Sequence, residues 1–262
     1  VAISRAAGQV PNSPEKVVVA VARAARDGNY ILIFAMLPES YQADLQGMYE
    51  RVADRVDAKL YNKAWVFVEE VLAAATKHKY KLAEEGAIPR EMLFQYLPAI
   101  NAVLAVAETM KLNDAATMKR LDIAYFLAEN GSMLHNIGWK TAEVFQKKET
   151  AMVRMMMEGV KAELRDEVKD NRATVLVTVG EESNETEFVM IEGKWIPAEF
   201  ARMWPKFKEE ANNNIDEAMA ELEKNEEKLN RAFAIAGVAV AEFERDGDLE
   251  SLANISSAFE GM

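Results

Sequence analysis

Apolar residues recur at helical spacing over most of the chain. Val18, Val21, Ala22 and Ala25 follow Ser13-Pro14-Glu15, where serine suits the N-cap and proline the first helical position, which needs no backbone donor. Asp27-Gly28 ends that run, glycine being free to enter the left-handed region. A second helix is expected from Asn29 to Leu37, stopped by Pro38. Leu45, Met48, Tyr49, Val52 and Val56 form one stripe, and Ala64, Phe67, Val68, Val71, Leu72 and Ala75 another. Gly86 and Pro89 interrupt the pattern. Leu93, Leu97, Ile100, Val103, Leu104 and Ala107 resume it across Pro98, where a kink is expected. Asn113-Asp114 suits the cap of a short helix through Met118, Leu121 and Tyr125. Asn130-Gly131 is expected to close that helix, and another is expected from about Ser132 to Met157.

The period then changes. Ala173 to Val179 is rich in β-branched residues, and Thr186 to Ile191 reads similarly. Gly180 to Glu185 between them is a polar hairpin loop by composition. Glu192-Gly193 is a two-residue turn into the short strand Lys194-Trp195-Ile196, which Pro197 ends. Val160, Ala162 and Leu164 alternate with charges and offer a fourth strand within 160–168. Helical spacing returns from Glu199, through Phe200, Met203, Trp204 and Phe207. A very polar stretch around Asn212 to Lys228 follows, then Leu229, Phe233, Ala236, Val240 and Phe243. Arg245-Asp246-Gly247 closes this run before a short C-terminal helix.

The expected fold class is therefore α+β. It is mainly helical, with one small antiparallel sheet of three or four strands at about 160–197, packed by N- and C-terminal helices and interrupted by a large helical insertion. A single domain is expected over 1–262. Its parts are N-terminal helices (13–45), the insertion (46–158), the meander (159–198) and C-terminal helices (199–262). One echo stands out: Val19-Ala20-Val21-Ala22 before Arg26-Asp27-Gly28, and Val238-Ala239-Val240-Ala241 before Arg245-Asp246-Gly247. A duplicated helix–turn–helix unit is one explanation. Two amphipathic helices that share a glycine stop is the plainer one.

Composition narrows the function classes. The 262 residues include 31 Lys and Arg against 43 Asp and Glu, a net charge of −12, and no cysteine. A disulfide framework, a thiolate nucleophile and a zinc–cysteine site are thus excluded. The acidic balance argues against a non-specific nucleic-acid binder, which needs cations to displace condensed counterions. No apolar run approaches the roughly 18–20 residues of a membrane span, so no transmembrane segment is expected. The chain begins at Val1. A processed, exported protein of the periplasm or cell envelope is the expectation, its signal segment lying outside this chain. A lipid anchor upstream is compatible with it.

Chemistry-bearing motifs are sparse. His78 lies in the basic cluster Lys77-His78-Lys79, near a helix end that an imidazole suits. His135 lies four residues before Trp139. Neither has the spacing of a zinc hydrolase, and no nucleophile elbow, P-loop or GxGxxG is present. No metal site and no cofactor are expected. Asp246-Gly247-Asp248 resembles part of a calcium loop but lacks the remaining ligands; a helix C-cap followed by an N-cap is the better reading. Met152, Met155, Met156 and Met157 at helical spacing are read as core packing rather than as a binding strip.

The strand pair Ala173 to Val179 and Glu187 to Pro197, with its Gly193-Lys194-Trp195 turn, resembles the closing strands of NTF2-like (cystatin-like α+β) domains. Ser13 to Tyr41, with Arg26-Asp27-Gly28-Asn29-Tyr30, is similar to their opening helices. The order of Leu37-Pro38-Glu39-Ser40-Tyr41-Gln42, Leu60-Tyr61-Asn62-Lys63 and Phe188 to Pro197 resembles that of uncharacterised exported or lipoprotein-like proteins of planctomycete-type bacteria. The resemblance implies a non-catalytic exported or envelope-associated protein that binds a small ligand or a partner protein. The expected pocket lies between the sheet and the insertion, lined by Phe188, Met190, Trp195, Met155 and His135. The alternative is an NTF2-like enzyme with an acid–base pair in that cavity, His135 and a nearby carboxylate.

Overall fold

Helix α1 (Pro14–Asp27) starts on Ser13, whose backbone is extended as an N-cap requires, with Pro14 in the first turn. The Ser13 hydroxyl bonds the Glu15 carboxylate at 2.5 Å rather than a backbone N–H. Gly28 ends α1 with φ +71°, its N–H returning to the Ala24 carbonyl. Asn29 then caps α2 (Tyr30–Met36), accepting from the Leu32 N–H. The computed structural model describes residues 10–145 and 147–259. Its fold class is the expected one, α+β and mainly helical with one small antiparallel sheet.

Next come α3 (Glu39–Arg55), α4 (Ala58–Lys77), α5 (Lys79–Glu84), a π-helical turn (Met92–Tyr96), α6 (Leu97–Thr109), α7 (Ala115–Met118), α8 (Ile123–Phe145) and α9 (Lys147–Glu158). The meander follows as β1 (Lys161–Leu164), β2 (Arg172–Val179), β3 (Glu182–Ile191) and β4 (Lys194–Pro197), in spatial order β1-β2-β3-β4. The chain closes with α10 (Ala198–Asp246) and α11 (Leu249–Phe259). Contacts divide it into two compact units: Val1–Glu50 with Leu121–Asn214, and Arg51–Arg120 with Ile215–Met262. The insertion expected at 46–158 is therefore not one piece; its last part, α8 and α9, belongs with the sheet.

In the first unit, alternation along the strands sends side chains to two faces. Ala173, Val175, Phe188 and Trp195 are buried on one face with Val17 of α1 and Met36 of α2, and Met190 packs against them. On the other face Ile196, Val189 and Ile191 meet Tyr41, Trp204 and Ala201. Tyr41 and Trp204 stack with ring centres 4.2 Å apart. Trp204 donates to Asp44 at 2.9 Å, and Lys208 reaches the same carboxylate at 2.5 Å. Burial pushes Asp44 upward, but these two hydrogen bonds outweigh it and hold the carboxyl below its ordinary value.

Three local expectations are corrected. The polar segment 180–185 is mostly strand: only Gly180-Glu181 turn, and Thr178 pairs with Ser183, their hydroxyls 2.8 Å apart. Ladder hydrogen bonds are backbone bonds, so polar side chains on a wet face do not stop them. Asn130-Gly131 does not close a helix, since α8 runs through it. A Cβ on Gly131 would lie 3.2 Å from the Gly28 carbonyl oxygen, so this glycine serves close approach rather than termination. At Pro98 the helix takes a π turn before α6 instead of simply bending, and the Leu97 N–H reaches back to the Met92 carbonyl. Proline cannot donate and would clash with the carbonyl four residues back, which the wider turn relieves.

The second unit is helical. Its core joins Ala74, Leu82, Leu93, Leu97, Val240 and Phe243. Phe67, Phe233 and Phe259 form a ring triangle, with centres 5.3 to 5.7 Å apart. The polar stretch after Asn212 is continuous helix within α10. Its side chains have partners: Asp216 with Arg51 and Arg55, Glu223 with Arg55, and within the helix Glu221 with Lys224 and Glu227 with Arg231. Such pairs let a polar helix persist.

Candidate functional site

The site grows from the end of α1. A Cβ on Gly28 would lie 2.5 Å from the Cβ of His135 in α8, so the backbone of this helix end sits directly against the imidazole. His135 is buried. One helical turn on, Trp139 donates its indole N–H to His135 Nδ1 at 3.0 Å. The Tyr30 hydroxyl, at the start of α2, lies 3.3 Å from the same nitrogen. An indole can only donate, so Nδ1 is the acceptor and the ring proton sits on Nε2. The Arg26 backbone, in the last turn of α1, also faces the ring and favours its charged form.

Burial, then the positive charge of Arg154, pushes His135 below the ordinary imidazole value; Asp27 and the Arg26 backbone oppose this but do not win. Among the described residues no carboxylate hydrogen-bonds the ring. Asp27 instead makes a two-pronged pair with its neighbour Arg26, at 2.7 and 3.0 Å.

Two adjoining grooves run along α8 and α9 and share Thr150. One, of about 410 Å³, is lined by Tyr30, His135, Gly138, Trp139, Val153 and Met157, among others. The other, of about 750 Å³, is lined by Lys140, Glu143, Ala151, Arg154, Met155 and Glu158. The Arg154 guanidinium lies 5.9 Å from the Trp139 ring centre and makes no ion pair among the described residues. A Cβ on Gly138 would meet nothing within 4 Å, so the wall beside Trp139 is open.

Of the expected pocket residues, His135 and Met155 lie on these grooves. Phe188, Met190 and Trp195 do not line them. They are committed to the packed face between the sheet and α1. The methionines are a correction: Met152, Met155 and Met156 are exposed on α9 rather than packed in the core. Tyr30, Thr150, Arg154 and Gly138 are site residues that periodicity missed. The one available signal was the four-residue spacing of His135 and Trp139, which puts both on one side of a helix.

The other histidine, His78, ends α4 in the second unit. Its Nε2 lies 2.8 Å from the Glu244 carbonyl oxygen near the end of α10, and a Cβ on Gly247 would lie 2.7 Å from its Nδ1. Phe243 of α10 packs against this ring, with centres 5.2 Å apart. Among the described residues no group of three or more His, Asp or Glu side chains is placed to hold a metal ion. Comparison with family profiles, curated proteins and solved structures finds no match for the chain.

Proposed function

We propose that the chain is a non-catalytic binding protein, and that the α8–α9 grooves take a small amphipathic anion: an aryl or acyl group bearing a carboxylate or sulfonate. The observation that carries this is the Arg154 guanidinium, unpaired among the described residues and held 5.9 Å from the Trp139 ring centre, beside an open apolar wall. A flat apolar group lies along Trp139, Val153 and Met157, and its acidic end meets Arg154. The 410 Å³ groove, walled largely by apolar side chains, has the usual form of a small-molecule site. The acid–base alternative is less well supported, because His135 Nδ1 accepts from Trp139 and no carboxylate hydrogen-bonds the ring among the described residues. An NTF2-like ancestry and an exported, envelope-associated setting belong to the same proposal and rest on the sequence resemblance.

An anilinonaphthalene sulfonate dye has the required chemistry and serves as the probe. Gly138→Leu places a side chain in the open space and is expected to weaken dye binding by about tenfold or more. It leaves the fold intact or slightly more stable, since glycine within a helix costs about 0.5–1 kcal/mol relative to alanine. Undiminished dye binding in a folded Gly138→Leu variant sinks the proposal. A second reading, docking of a partner protein, is favoured by the exposed Met152 and Met156 on α9. Met152→Lys separates the two, since Met152 is not among the residues lining either groove.

A further inference from the structure

In the second unit, no residue between Met92 and Ala107 is charged. Against the expectation that no apolar run is of membrane-span length, Met92–Thr109 is 18 residues long and apolar enough to cross a membrane by length and composition, yet only 17% of it is buried. A helix apolar on all sides is ordinarily enclosed. Here one side is: Leu93 and Leu97 belong to the core with Leu82, Val240 and Phe243. The other side is open, with Met92, Ile100 and Val103 exposed by 41 to 49%. Alongside it, Tyr80 and Phe94 hold their ring centres 5.3 Å apart. Lys79 lies over both rings, at 5.3 and 5.7 Å, and Arg90 over Phe94 at 5.5 Å. Neither cation makes an ion pair among the described residues, in a chain whose net charge is −12.

We propose that this face docks on a membrane surface carrying anionic headgroups. The side chains of Met92, Ile100 and Val103 enter the interface, Tyr80 sits at headgroup depth, and Lys79 and Arg90 meet the headgroups. Exposed apolar, aromatic and cationic side chains in one strip are the pattern of an interfacial element. The charge decides the occupant. In a symmetric contact with a second copy, the same patch faces itself and the cations approach one another. Spanning would require Leu93 and Leu97 to leave the core. The element therefore lies on the surface, with Glu91 and Glu108 at the two ends of its uncharged stretch.

The test is co-sedimentation of the full chain with phosphatidylcholine vesicles, and with vesicles in which about a third of the lipid is phosphatidylglycerol. Pelleting is expected only with the second, and it should fall as salt is raised. Lys79→Ser and Arg90→Ser each weaken it by about fivefold. Both are surface changes that leave the fold in place, as an unchanged thermal melt checks. Ile100→Glu abolishes it. Three results overturn the proposal. They are no pelleting with either vesicle, equal pelleting with both, and self-association in sedimentation velocity that Ile100→Glu abolishes without any vesicle binding. The last assigns the face to a second copy of the chain.

Discussion

The ends of α1 and α10 carry the same letters and the same geometry in different surroundings. In each, Val-Ala-Val-Ala and three further residues are followed by Arg-Asp-Gly. Gly28 and Gly247 both take positive φ, at +71° and +67°. The N–H of Gly28 bonds the Ala24 carbonyl and that of Gly247 the Phe243 carbonyl, each four residues back. Asn29 and Asp248 then accept a backbone N–H in the first turn of the next helix. A histidine covers each glycine, His135 over Gly28 and His78 over Gly247. The difference lies in the covers. His135 comes from the middle of a long helix, is buried, and touches Gly28 through its Cβ. His78 ends its helix, is partly exposed, and touches Gly247 through the Nδ1 side of its ring. The repeated residues dictate the turn; what surrounds the imidazole decides whether a site forms on it.

The largest effect that tests this contrast comes from adding a methyl group at each glycine. Positive φ costs an alanine about 1–2 kcal/mol. At Gly28 the new Cβ also strikes the fixed Cβ of His135, and overpacking adds about 1–3 kcal/mol more. At Gly247 the obstacle is the ring of a side chain at the helix end, which can give way at the cost of its hydrogen bond to the Glu244 carbonyl. Gly28→Ala is therefore expected to destabilise the first unit by about 3 kcal/mol, and Gly247→Ala the second by about 1–2. Trp139, Trp195 and Trp204 lie in the first unit and Trp65 alone in the second. Tryptophan fluorescence in urea thus follows mainly the first unit, while far-UV circular dichroism follows both. Equal losses in the two variants would erase the contrast.

How much of this the chain reveals on inspection follows the range of the interactions. The glycine stops at Gly28 and Gly247, the cap at Asn29 and the strands around Val175 and Trp195 depend on neighbours in sequence, and they are where the pattern puts them. Gly131 misleads because its reason is a backbone 103 residues away in α1, not its own helix. The π turn before Pro98 misleads because a kink and a π turn relieve the same clash. Residues of the candidate site are read incompletely for the same cause. His135 and Trp139 share a helix face, but Tyr30 and Arg154 reach them only through tertiary packing of α2 and α9. Met155 and its neighbours show the opposite failure, since periodicity reports an apolar side without saying whether anything covers it.

A smaller effect separates the first histidine by pH. His135 is held below its ordinary value, chiefly by burial and then by Arg154. The unfolded chain therefore binds a proton that the folded unit resists. The stability that this contributes is present above about pH 6.5 and is lost as pH falls through the folded value. Between about pH 7.5 and pH 5, above the range where carboxylates titrate, the fluorescence midpoint in urea should fall. His135→Gln should flatten that slope. A slope that survives His135→Gln assigns the acid sensitivity to another group.

The smallest expected effect concerns the letters that the two ends share most visibly. Arg26 pairs with Asp27 at 2.7 Å, and Arg245 with Asp246 at 2.7 Å, each within one exposed dipeptide. Neighbours in sequence lose little by separating, and water and salt screen both groups. Arg26→Gln and Arg245→Gln should therefore leave the fluorescence and dichroism midpoints unchanged within error, at low and at moderate salt alike. The Arg26 backbone that faces His135 is unaffected by the change. A marked drop in Arg26→Gln alone, removed by salt, would mean that the charge pair itself holds the end of α1 against His135. The contrast between the two ends would then be electrostatic rather than one of packing.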